Sequence, residues 1–342
     1  MSARDDLLLR LQQGLSIEHR PFASLAKKAG VSEDEAIATV QRMLADGSAR
    51  RFGAVFDARR LGYRSVLCAV DVPEGDIDRI GARVALHPGV THCYERASPP
   101  ASATVADPGA ERDRLPNLWF TLAVPAPAFE NGVAQLRDAA APYVLRLLPA
   151  LRRFKIDVIF DSAERERGES VPGSDLATLQ TPDDNEVWSE REKELVRALA
   201  GDVPVCADCY ARIAESLGWT EEALLTTLTE WKRRGALRRI ALIVRHRRIG
   251  FTANAMCVWR VDETRIVEAG RRVAAWPQVT HCYQRERLPG WPYNLFAMIH
   301  AGDWLSLRRL FDRIAESADL ADGRMLGSLR EFKKTSMRYF EE

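Results

Sequence analysis

The stretch Gly89–Arg96, GVTHCYER, decides the fold of this chain because it returns nearly unchanged as Gln278–Arg285, QVTHCYQR. Successive side chains of an extended strand point to opposite faces, so every second residue of the stretch shares a face. That face carries the same residue types in both copies: His92, Tyr94 and Arg96, then His281, Tyr283 and Arg285. An imidazole, a phenol and a guanidinium are unusual residues for a hydrophobic core. The pattern predicts two strand faces that can contact an anionic ligand.

The repeat extends through most of the chain, which indicates a tandem duplication. The recurring strings are RRFGA at 50–54 with RRIA at 238–241, NLWF at 117–120 with NLF at 294–296, and LRRFK at 151–155 with LREFK at 329–333. Between the two halves, residues 161–185 are rich in Ser, Pro, Gly, Asp and Glu and show no apolar periodicity. This composition predicts a linker.

Composition limits the classes of function. The chain has 342 residues, of which 46% are hydrophobic and 28% are charged, and its formal net charge is +1. This length predicts about two or more globular domains, and the near-neutral charge gives no general attraction to nucleic acid. No apolar run approaches the roughly 20 residues of a membrane-spanning helix, and the six cysteines are dispersed. We therefore expect a cytoplasmic protein with reduced thiols.

Each half begins with a pattern typical of a winged helix-turn-helix. In the first half, a capping-box pattern at Ser32–Glu35 opens the second helix, and Gly47 ends it. A matching helix in the second half opens at Thr220. The wings are expected as ribbons within each half, over Arg50–Phe56 with Arg59–Tyr63 and over Arg238–Phe251.

After each wing, the pattern of apolar residues follows the order β-α-β-β-α-β, which is that of a ferredoxin-like domain. The predicted fold class is α+β, a tandem duplication of a winged helix-turn-helix plus a ferredoxin-like domain. The expected boundaries are 1–63 and 186–251 for the winged modules, 64–160 and 252–342 for the ferredoxin-like domains, and 161–185 for the linker. We expect the sheet faces of the two ferredoxin-like domains to pack together, so that the chain forms an intramolecular pseudo-dimer.

Acidic residues argue against DNA binding by the winged modules. The N-terminal residues of the second helix normally contact the bases in a helix-turn-helix. Those positions are Glu33–Glu35 in the first half, and Glu221 and Glu222 in the second half. Carboxylates there would repel phosphates and remove the counterion release that drives DNA binding. The modules are therefore expected to have a structural or dimerising role.

The strings RRFG at 50–53, RHRRIGF at 245–251 and WPYNL at 291–295, together with the two HCY strands, carry a family resemblance. A winged helix followed by a ferredoxin-like domain is similar to the Lrp/AsnC regulators. The specific strings resemble more closely the siroheme decarboxylases, enzymes of haem d1 and alternative haem biosynthesis. The resemblance covers nearly the whole chain except the linker, and it is to a fused form that carries both subunit types of a heterodimer.

This resemblance implies removal of the C12 and C18 acetate carboxyls of siroheme as CO2, to give 12,18-didecarboxysiroheme. The iron would belong to the tetrapyrrole substrate, so no separate cofactor and no protein-bound metal is expected. The residues implied in catalysis are His92, His281, Tyr94 and Tyr283. The residues implied in substrate binding are Arg51, Arg96, Arg239, Arg245, His246, Arg285, Asn117 and Asn294. Arginine suits a polycarboxylate because its guanidinium can bind a carboxylate through paired hydrogen bonds.

Several alternatives stay open at this point. The two histidines could act as general acids or as ligands of the haem iron. Because both halves carry the histidine, one cavity or both could perform chemistry, and the chain could associate further into a homo-oligomer. A ligand-responsive transcription regulator of the Lrp/AsnC type and a haem-binding protein without turnover are the alternative functions.

Overall fold

The structure, a computed structural model, describes residues 3–98, 116–156, 159, 177–178, 187–245, 248 and 250–341. Its helices are α1 (Ala3–Gln13), α2 (Pro21–Ala29), α3 (Glu33–Ala45), α4 (Ile77–Ala85), α5 (Phe129–Ala140), α6 (Glu190–Ala200), α7 (Cys209–Ser216), α8 (Glu221–Arg233), α9 (Ile266–Ala274) and α10 (Trp304–Ser317). Its strands are β1 (Ala49–Phe56), β2 (Tyr63–Val70), β3 (Val90–Ala97), β4 (Leu118–Pro125), β5 (Arg146–Leu148), β6 (Ala150–Ile156), β7 (Ala177–Thr178), β8 (Leu237–Val244), β9 (Ala253–Trp259), β10 (Val279–Arg285), β11 (Leu295–Ala301) and β12 (Gly323–Lys334). Most of the predicted linker, and His246, lie outside the described residues.

The order of the elements confirms the predicted α+β class and the tandem duplication. Each half carries a helical module followed by strand, helix, two strands, helix and a final strand segment. The sequence analysis missed α1 and α6, which precede the predicted helix-turn-helix in each half. Of these, α6 begins with a complete capping box between Ser189 and Glu192, a signal that could have revealed it.

The second helix of each helical module begins, as predicted, at a side-chain cap. Ser32 Oγ accepts a hydrogen bond from the Glu35 backbone N–H at 3.1 Å. Thr220 Oγ1 accepts one from the Ala223 backbone N–H at 3.2 Å. Each bond satisfies an N–H group that has no partner within the helix, which stabilises the helix start by about 1 kcal/mol.

The wing prediction is wrong in its pairing. Strand β1 pairs antiparallel with β8 of the other half, in a register that places Ala54 opposite Ile240. Tyr63, which was expected to close the first wing, instead begins β2 in the main sheet. An unpaired edge strand exposes backbone N–H and C=O groups without partners, and pairing between β1 and β8 satisfies these groups in both strands. The two helical modules are therefore joined to each other through their wings.

The main sheet interlocks the two halves through their last strands. Its order is β5-β2-β4-β3-β12-β9-β11-β10-β6-β7. Residues 323–327 of β12 pair with β9 of their own half, and residues 327–334 pair with β3 of the first half. The last strand of the first half divides in the same way, because β5 pairs with β2 and β6 pairs with β10. Each half therefore completes the sheet of the other half.

Alternation along the strands separates a helix-facing core from a core between the two halves. Phe120 of β4 packs with residues of α4 and α5, and Cys257 of β9 packs with residues of α9 and α10. Trp119, of the opposite parity on β4, packs in a core that also contains Phe296 of β11. The ring centroids of Trp119 and Trp291 lie 5.2 Å apart there. This arrangement confirms the predicted packing of the two sheet faces.

The helical modules of both halves share one core, which includes Phe52 of β1 and Trp231 of α8. Tyr339, which follows β12, joins this core. Its ring centroid lies 5.8 Å from that of Phe56 and 5.3 Å from that of Tyr63, both in edge-on geometry. The C-terminal segment thereby ties the last strand of the second half to the helical modules.

Two glycines mark where the exchanged strands press on helices, and they allow a test of the interlock. A Cβ at Gly81 of α4 would lie 2.5 Å from the Phe332 ring of β12, and one at Gly270 of α9 would lie 2.3 Å from the Phe154 ring of β6. We expect Gly81→Ala to destabilise the protein by about 1–3 kcal/mol through overpacking. Gly75→Ala, where a Cβ would meet nothing within 4 Å, should stay within about 0.5 kcal/mol. Urea unfolding measures both, and equal stabilities would contradict the interlock.

Candidate active site

Strands β3 and β10 turn alternate side chains to opposite faces, as the sequence predicted. Cys93 and Cys282 lie in the cores beneath the helices. The other parity forms the first His–Tyr–Arg face (His92, Tyr94 and Arg96) and the second His–Tyr–Arg face (His281, Tyr283 and Arg285). Both faces point toward the core between the two halves, where Arg96 Nη2 lies 3.8 Å from the Met298 sulfur of β11.

The two faces have nearly the same internal geometry. The ring centroids of His92 and Tyr94 lie 6.4 Å apart, and those of His281 and Tyr283 lie 6.5 Å apart. This spacing follows from the rise of a strand, which is about 6.6 Å over two residues. The guanidinium that comes next lies 5.2 Å from the tyrosine ring centroid in the first face and 5.0 Å from it in the second.

A threonine precedes each histidine and orients its ring. Thr91 Oγ1 lies 3.0 Å from His92 Nδ1, and Thr280 Oγ1 lies 3.1 Å from His281 Nδ1. The second nitrogen of His92, Nε2, makes no hydrogen bond with any residue that the structure describes. A histidine held through one ring nitrogen in this way can present the other to a metal or to a substrate proton.

The pKa of His92 is lowered to about 3, mainly because burial disfavours the charged imidazolium. Further lowering comes from the positive charges of Arg50, Lys334, His281 and Arg96. His92 is therefore neutral at neutral pH, so its free lone pair can bind iron. The charge of His281 is among those that lower the pKa of His92, which indicates that the two faces approach each other.

The tyrosines of the two faces are phenols held away from water. Burial raises the pKa of both Tyr94 and Tyr283. The Tyr94 hydroxyl also donates a hydrogen bond to the carboxylate of Glu331 on β12, whose charge raises the Tyr94 pKa further. Both tyrosines consequently stay protonated at physiological pH and can act as hydrogen-bond donors.

The arginines of the two faces are held by backbone carbonyls. Arg96 Nη1 donates to Ser328 Oγ at 2.9 Å and to Leu326 O at 3.3 Å, and Arg285 Nη1 donates to Leu148 O at 2.6 Å. Burial lowers the pKa of each guanidinium to about 10, so both remain charged. Within the described ranges neither arginine has a carboxylate partner, which leaves both charges available to an anionic ligand.

Arg51, which was predicted to bind substrate, contacts the backbone of its own strand, and its neighbour Arg50 lies toward the first His–Tyr–Arg face. Arg51 Nη2 donates to Ala54 O at 2.9 Å, and Arg51 Nη1 lies where a Cβ on Gly53 would approach to 2.6 Å. Side chains alternate along β1, so Arg50 points to the opposite face. The charges of Tyr94 and Glu331 act on Arg50, which places Arg50 at the first His–Tyr–Arg face.

In the second wing, too, the arginine that lies toward a His–Tyr–Arg face is one residue before the predicted one. Arg239 faces the first helical module, where its Cβ lies 3.0 Å from the position of a Cβ on Gly14. Arg238 points to the opposite face, and its charge acts on Tyr283. The substrate-binding role of Arg239 stays a prediction, and Arg238 is the member of this pair that acts on Tyr283. Counting the alternation of β1 and β8 would have separated the members of each pair.

The sequence analysis also missed Asp57, which follows β1. Asp57 Oδ2 accepts hydrogen bonds from Arg238 Nη2 at 2.7 Å and from Arg153 Nη1 at 3.1 Å, and Arg59 Nε lies 3.4 Å from Asp57 Oδ1. Burial alone would raise the pKa of Asp57, but these cations hold it well below its usual range. The residues belong to both halves, and no local sequence signal links them.

Asn117 and Asn294 organise backbone. Asn117 Oδ1 accepts from Val72 N at 2.9 Å, while its Nδ2 donates to Val72 O at 2.8 Å. Asn294 makes the same pair of bonds with Val261, both at 2.9 Å, and also donates to Glu263. The amides are used to fix the ends of β2 and β9, so substrate binding, as predicted for them, does not follow from their contacts.

The remaining predicted binding residues lie between β8 and β9. Arg245 follows β8, is exposed, and its charge acts on Arg50. Its backbone N–H donates to Ser48 O at 2.8 Å, which fixes the start of this loop. His246 lies outside the described residues. Arg245 is thus the residue of this loop that the structure brings to the first His–Tyr–Arg face.

Two other kinds of site were sought in the part of the chain that the structure describes. No group of three or more His, Cys, Asp or Glu side chains there could hold a metal ion. Burial raises the pKa of the Cys209 thiol to about 12, so the CxxC at 206–209 does not carry a reactive thiolate at this position. No helix there is long and apolar enough to cross a membrane.

Comparisons with known proteins decide the family. A family profile described as AsnC-like ligand binding domain matches residues 60–155 and 248–333, and one described as siroheme decarboxylase NirDL-like HTH domain matches residues 5–50 and 192–238. The siroheme decarboxylase of Hydrogenobacter thermophilus is 35% identical over 342 residues, which cover 99% of this chain and 95% of that protein. The chain belongs to the siroheme decarboxylase family.

Other siroheme decarboxylases match the whole chain or one half of it. The NirDL subunit of Paracoccus pantotrophus is 35% identical over 303 residues, covering 87% of this chain and 85% of that protein. The beta subunit of Methanosarcina barkeri is 39% identical over 145 residues, covering 42% of this chain and 95% of that protein. The chain therefore corresponds in length to two such subunits on one polypeptide, as the resemblance predicted.

Solved structures of the family extend this match to three dimensions. The crystal structure of the siroheme decarboxylase NirDL superposes with a TM-score of 0.70 at 31% identity, covering 99% of this chain and 95% of that chain. The same enzyme in complex with an iron-uroporphyrin III analogue superposes with a TM-score of 0.69 at 30% identity. The siroheme decarboxylase architecture is therefore shared along nearly the full length.

The lowered pKa of His92 predicts a loss of stability on the acid side. The imidazole has a pKa of about 3 in the folded chain and 6.5 as its ordinary value, so between these values the unfolded state binds a proton that the folded state does not. Stability is fully present above pH 6.5 and should fall by about 2 kcal/mol on going to about pH 5 from this residue alone. The variant His92→Gln should show a flatter pH dependence in urea unfolding. Parallel curves for the two proteins would contradict this.

Proposed function

We propose that this protein removes the C12 and C18 acetate carboxyls of siroheme as CO2 and gives 12,18-didecarboxysiroheme. Family membership over the whole chain supports the proposal, as does a solved relative that holds an iron-uroporphyrin III analogue. The observation that carries it is the pair of matching His–Tyr–Arg faces on β3 and β10, which would border the cavity that receives the substrate. The work would take place in the cytoplasm, where the cysteines, all free, stay reduced.

The cations beside the first face suit such a substrate. Siroheme carries eight carboxylates around an iron macrocycle. Arg50 is half-buried and makes no ion pair with any described residue, and Arg245 next to it is exposed. Guanidinium groups bind carboxylates through charge-assisted hydrogen bonds, which are stronger than neutral ones. Arg50 and Arg245 would therefore hold substrate carboxylates at the edge of the cavity.

Decarboxylation needs an acceptor for the electron pair of the breaking C–C bond. A proton added to the pyrrole carbon beside the acetate arm makes the ring that acceptor. The C–C electrons then form an exocyclic double bond as CO2 leaves. A second proton adds to the exocyclic carbon to form a methyl group, and the ring proton returns to a base. Overall one proton replaces one CO2, so no oxidant and no separate cofactor is needed.

The two histidines would divide these tasks. His92 is neutral and presents Nε2, which suits it to ligate the iron of the substrate. His281 lies close to it across the cavity and would carry the protons. Tyr94 and Tyr283, as buried phenols that stay protonated, would donate hydrogen bonds to substrate oxygens. Arg96 and Arg285 would supply fixed positive charge behind them.

A DNA-binding regulator is the less supported alternative. The first turns of α3 and α8 carry acids, and these acids contact neighbouring side chains. Glu33 forms an ion pair with Arg20, and Glu221 Oε2 lies 2.9 Å from His19 Nδ1. Carboxylates at these positions oppose approach to phosphates. A gel shift at low salt that found sequence-specific DNA binding would favour the regulator.

Anaerobic incubation with siroheme, followed by mass spectrometry for the loss of two CO2, tests the proposed reaction. We expect His281→Ala to lower the turnover rate at least about 100-fold, because general acid catalysis contributes on this scale. His92→Ala should also lower turnover, because the iron of the substrate would lose its ligand. His19→Ala is the matched control, since His19 is 66% exposed on a helical module, and it should keep full turnover. Full turnover in both cavity variants would refute the roles given to the histidines.

Neighbouring arginines on β1 provide a second test. Arg50→Gln should raise the KM for siroheme about tenfold, because a charge-assisted hydrogen bond is worth roughly 1.5–3 kcal/mol and 1.4 kcal/mol corresponds to tenfold. Arg51→Gln should leave KM unchanged and lower stability instead, since Arg51 bonds the backbone of its own strand. Steady-state kinetics and thermal unfolding separate the two effects. The opposite result, with KM raised by Arg51→Gln, would reverse the assignment.

A further inference from the structure

The duplication allows the two sides of the cavity to be compared position by position. The aligned strings of the halves make the following residues equivalent: Arg50 and Arg238, Arg245 and Asp57, Glu331 and Arg153, Lys334 and Ile156. Of these four pairs, the first alone keeps its charge. The histidine and tyrosine are present on both sides, so the difference between the sides lies in the charges around them.

The side of the second His–Tyr–Arg face is closed by internal ion pairs. The Asp57 carboxylate lies 2.7 Å from Arg238 and 3.1 Å from Arg153. Its side chain is 10% exposed, and low exposure strengthens charge interactions. Strand pairing sets Arg153 opposite Tyr283, and the charges of the cluster act on Tyr283, so the cluster lies beside the second face. A ligand carboxylate would have to displace Asp57 in order to reach either arginine.

The side of the first face has the opposite arrangement. Arg245 takes the position equivalent to Asp57, and it stands beside Arg50 with no carboxylate paired to either within the described residues. Glu331, the acid on this side, accepts the hydrogen bond of Tyr94. A ligand carboxylate here neutralises two neighbouring positive charges and displaces no carboxylate of the described residues.

We propose that Asp57 is a positioning residue that orients the tetrapyrrole in the cavity. The chain binds one macrocycle, with its carboxylates on Arg50 and Arg245 and its iron toward His92. The reversed orientation would set carboxylates against the buried Asp57 carboxylate, whose arginine partners are already occupied. This inference rests on the proposed function. It adds a residue that directs the iron to His92 rather than to the equivalent His281.

The discrimination works by rejection as well as by attraction. In the favoured orientation the substrate gains charge-assisted hydrogen bonds to Arg50 and Arg245. In the reversed orientation it meets a like charge in a poorly solvated place, where repulsion is least screened. Removing the negative charge of Asp57 frees Arg238 and Arg153, so both orientations would then find cationic partners.

Absorbance titration of the intact chain with iron uroporphyrin III tests the inference, by comparing how His92→Ala and His281→Ala change the Kd. With Asp57 unchanged, one iron uroporphyrin III should bind per chain. His92→Ala should then raise its Kd at least about tenfold, and His281→Ala should raise it less than about threefold. When Asp57→Asn is also present, the increases in Kd caused by His92→Ala and by His281→Ala should come within about threefold of each other. Asp57→Glu, which keeps the charge, should retain the inequality.

Three results would each overturn the inference. The two histidine variants could raise Kd equally while Asp57 is present, or their effects could stay unequal with Asp57→Asn. The chain could also bind two equivalents. Thermal unfolding checks that each variant folds. If Asp57→Asn does not fold, Arg50→Gln replaces it, because removing a cation from the first side should also reduce the inequality. An inequality left unchanged by Arg50→Gln counts against the inference.

Turnover of siroheme by the unaltered chain is measured separately. Loss of CO2 without any inequality in binding rejects the orienting role of Asp57 and keeps the proposed function. Inequality in binding without loss of CO2 rejects the proposed function and keeps the charge-determined orientation. The two failures are therefore distinguishable.

Discussion

The exchange of last strands between the halves is the constraint on which the rest of the structure depends. Because β12 crosses to β3 and β6 crosses to β10, neither sheet is complete without the other half. The same crossing brings Glu331 beside the first His–Tyr–Arg face and Arg153 beside the second. Both His–Tyr–Arg faces thus have neighbours from both halves, so neither face is complete within one half.

Local periodicity predicted the parts of the site that do not depend on a strand's partner. The side-chain period of a strand is two whatever it pairs with, so His92, Tyr94 and Arg96 could be grouped, and Cys93 could be assigned to a core. The same rule separates Arg50 from Arg51. It does not say which of the two lies toward the His–Tyr–Arg faces, because that depends on what packs against β1.

Contacts between distant parts of the chain could not be predicted in this way. In the sequence, each wing was predicted to form a ribbon within its own half. In the structure, β1 and β8 pair with each other across the two halves. Asp57 escaped notice because the arginines around it come from β6 and β8 as well as from its own loop. For Asn294 the sequence favoured a backbone role beside a role in substrate binding, and its bonds to the Val261 backbone show the first of these.

The strand exchange has a consequence for how the two halves can evolve. A beta subunit of the family covers 42% of this chain, so two such lengths stand here on one polypeptide. On one polypeptide the partner is always present at the effective concentration that the connecting segment sets. Assembly then no longer depends on matched expression of two products in a fixed ratio. Asp57 and Arg245 are equivalent positions with opposite charge. On one polypeptide, such a charge reversal in one half is inherited together with the half that accommodates it.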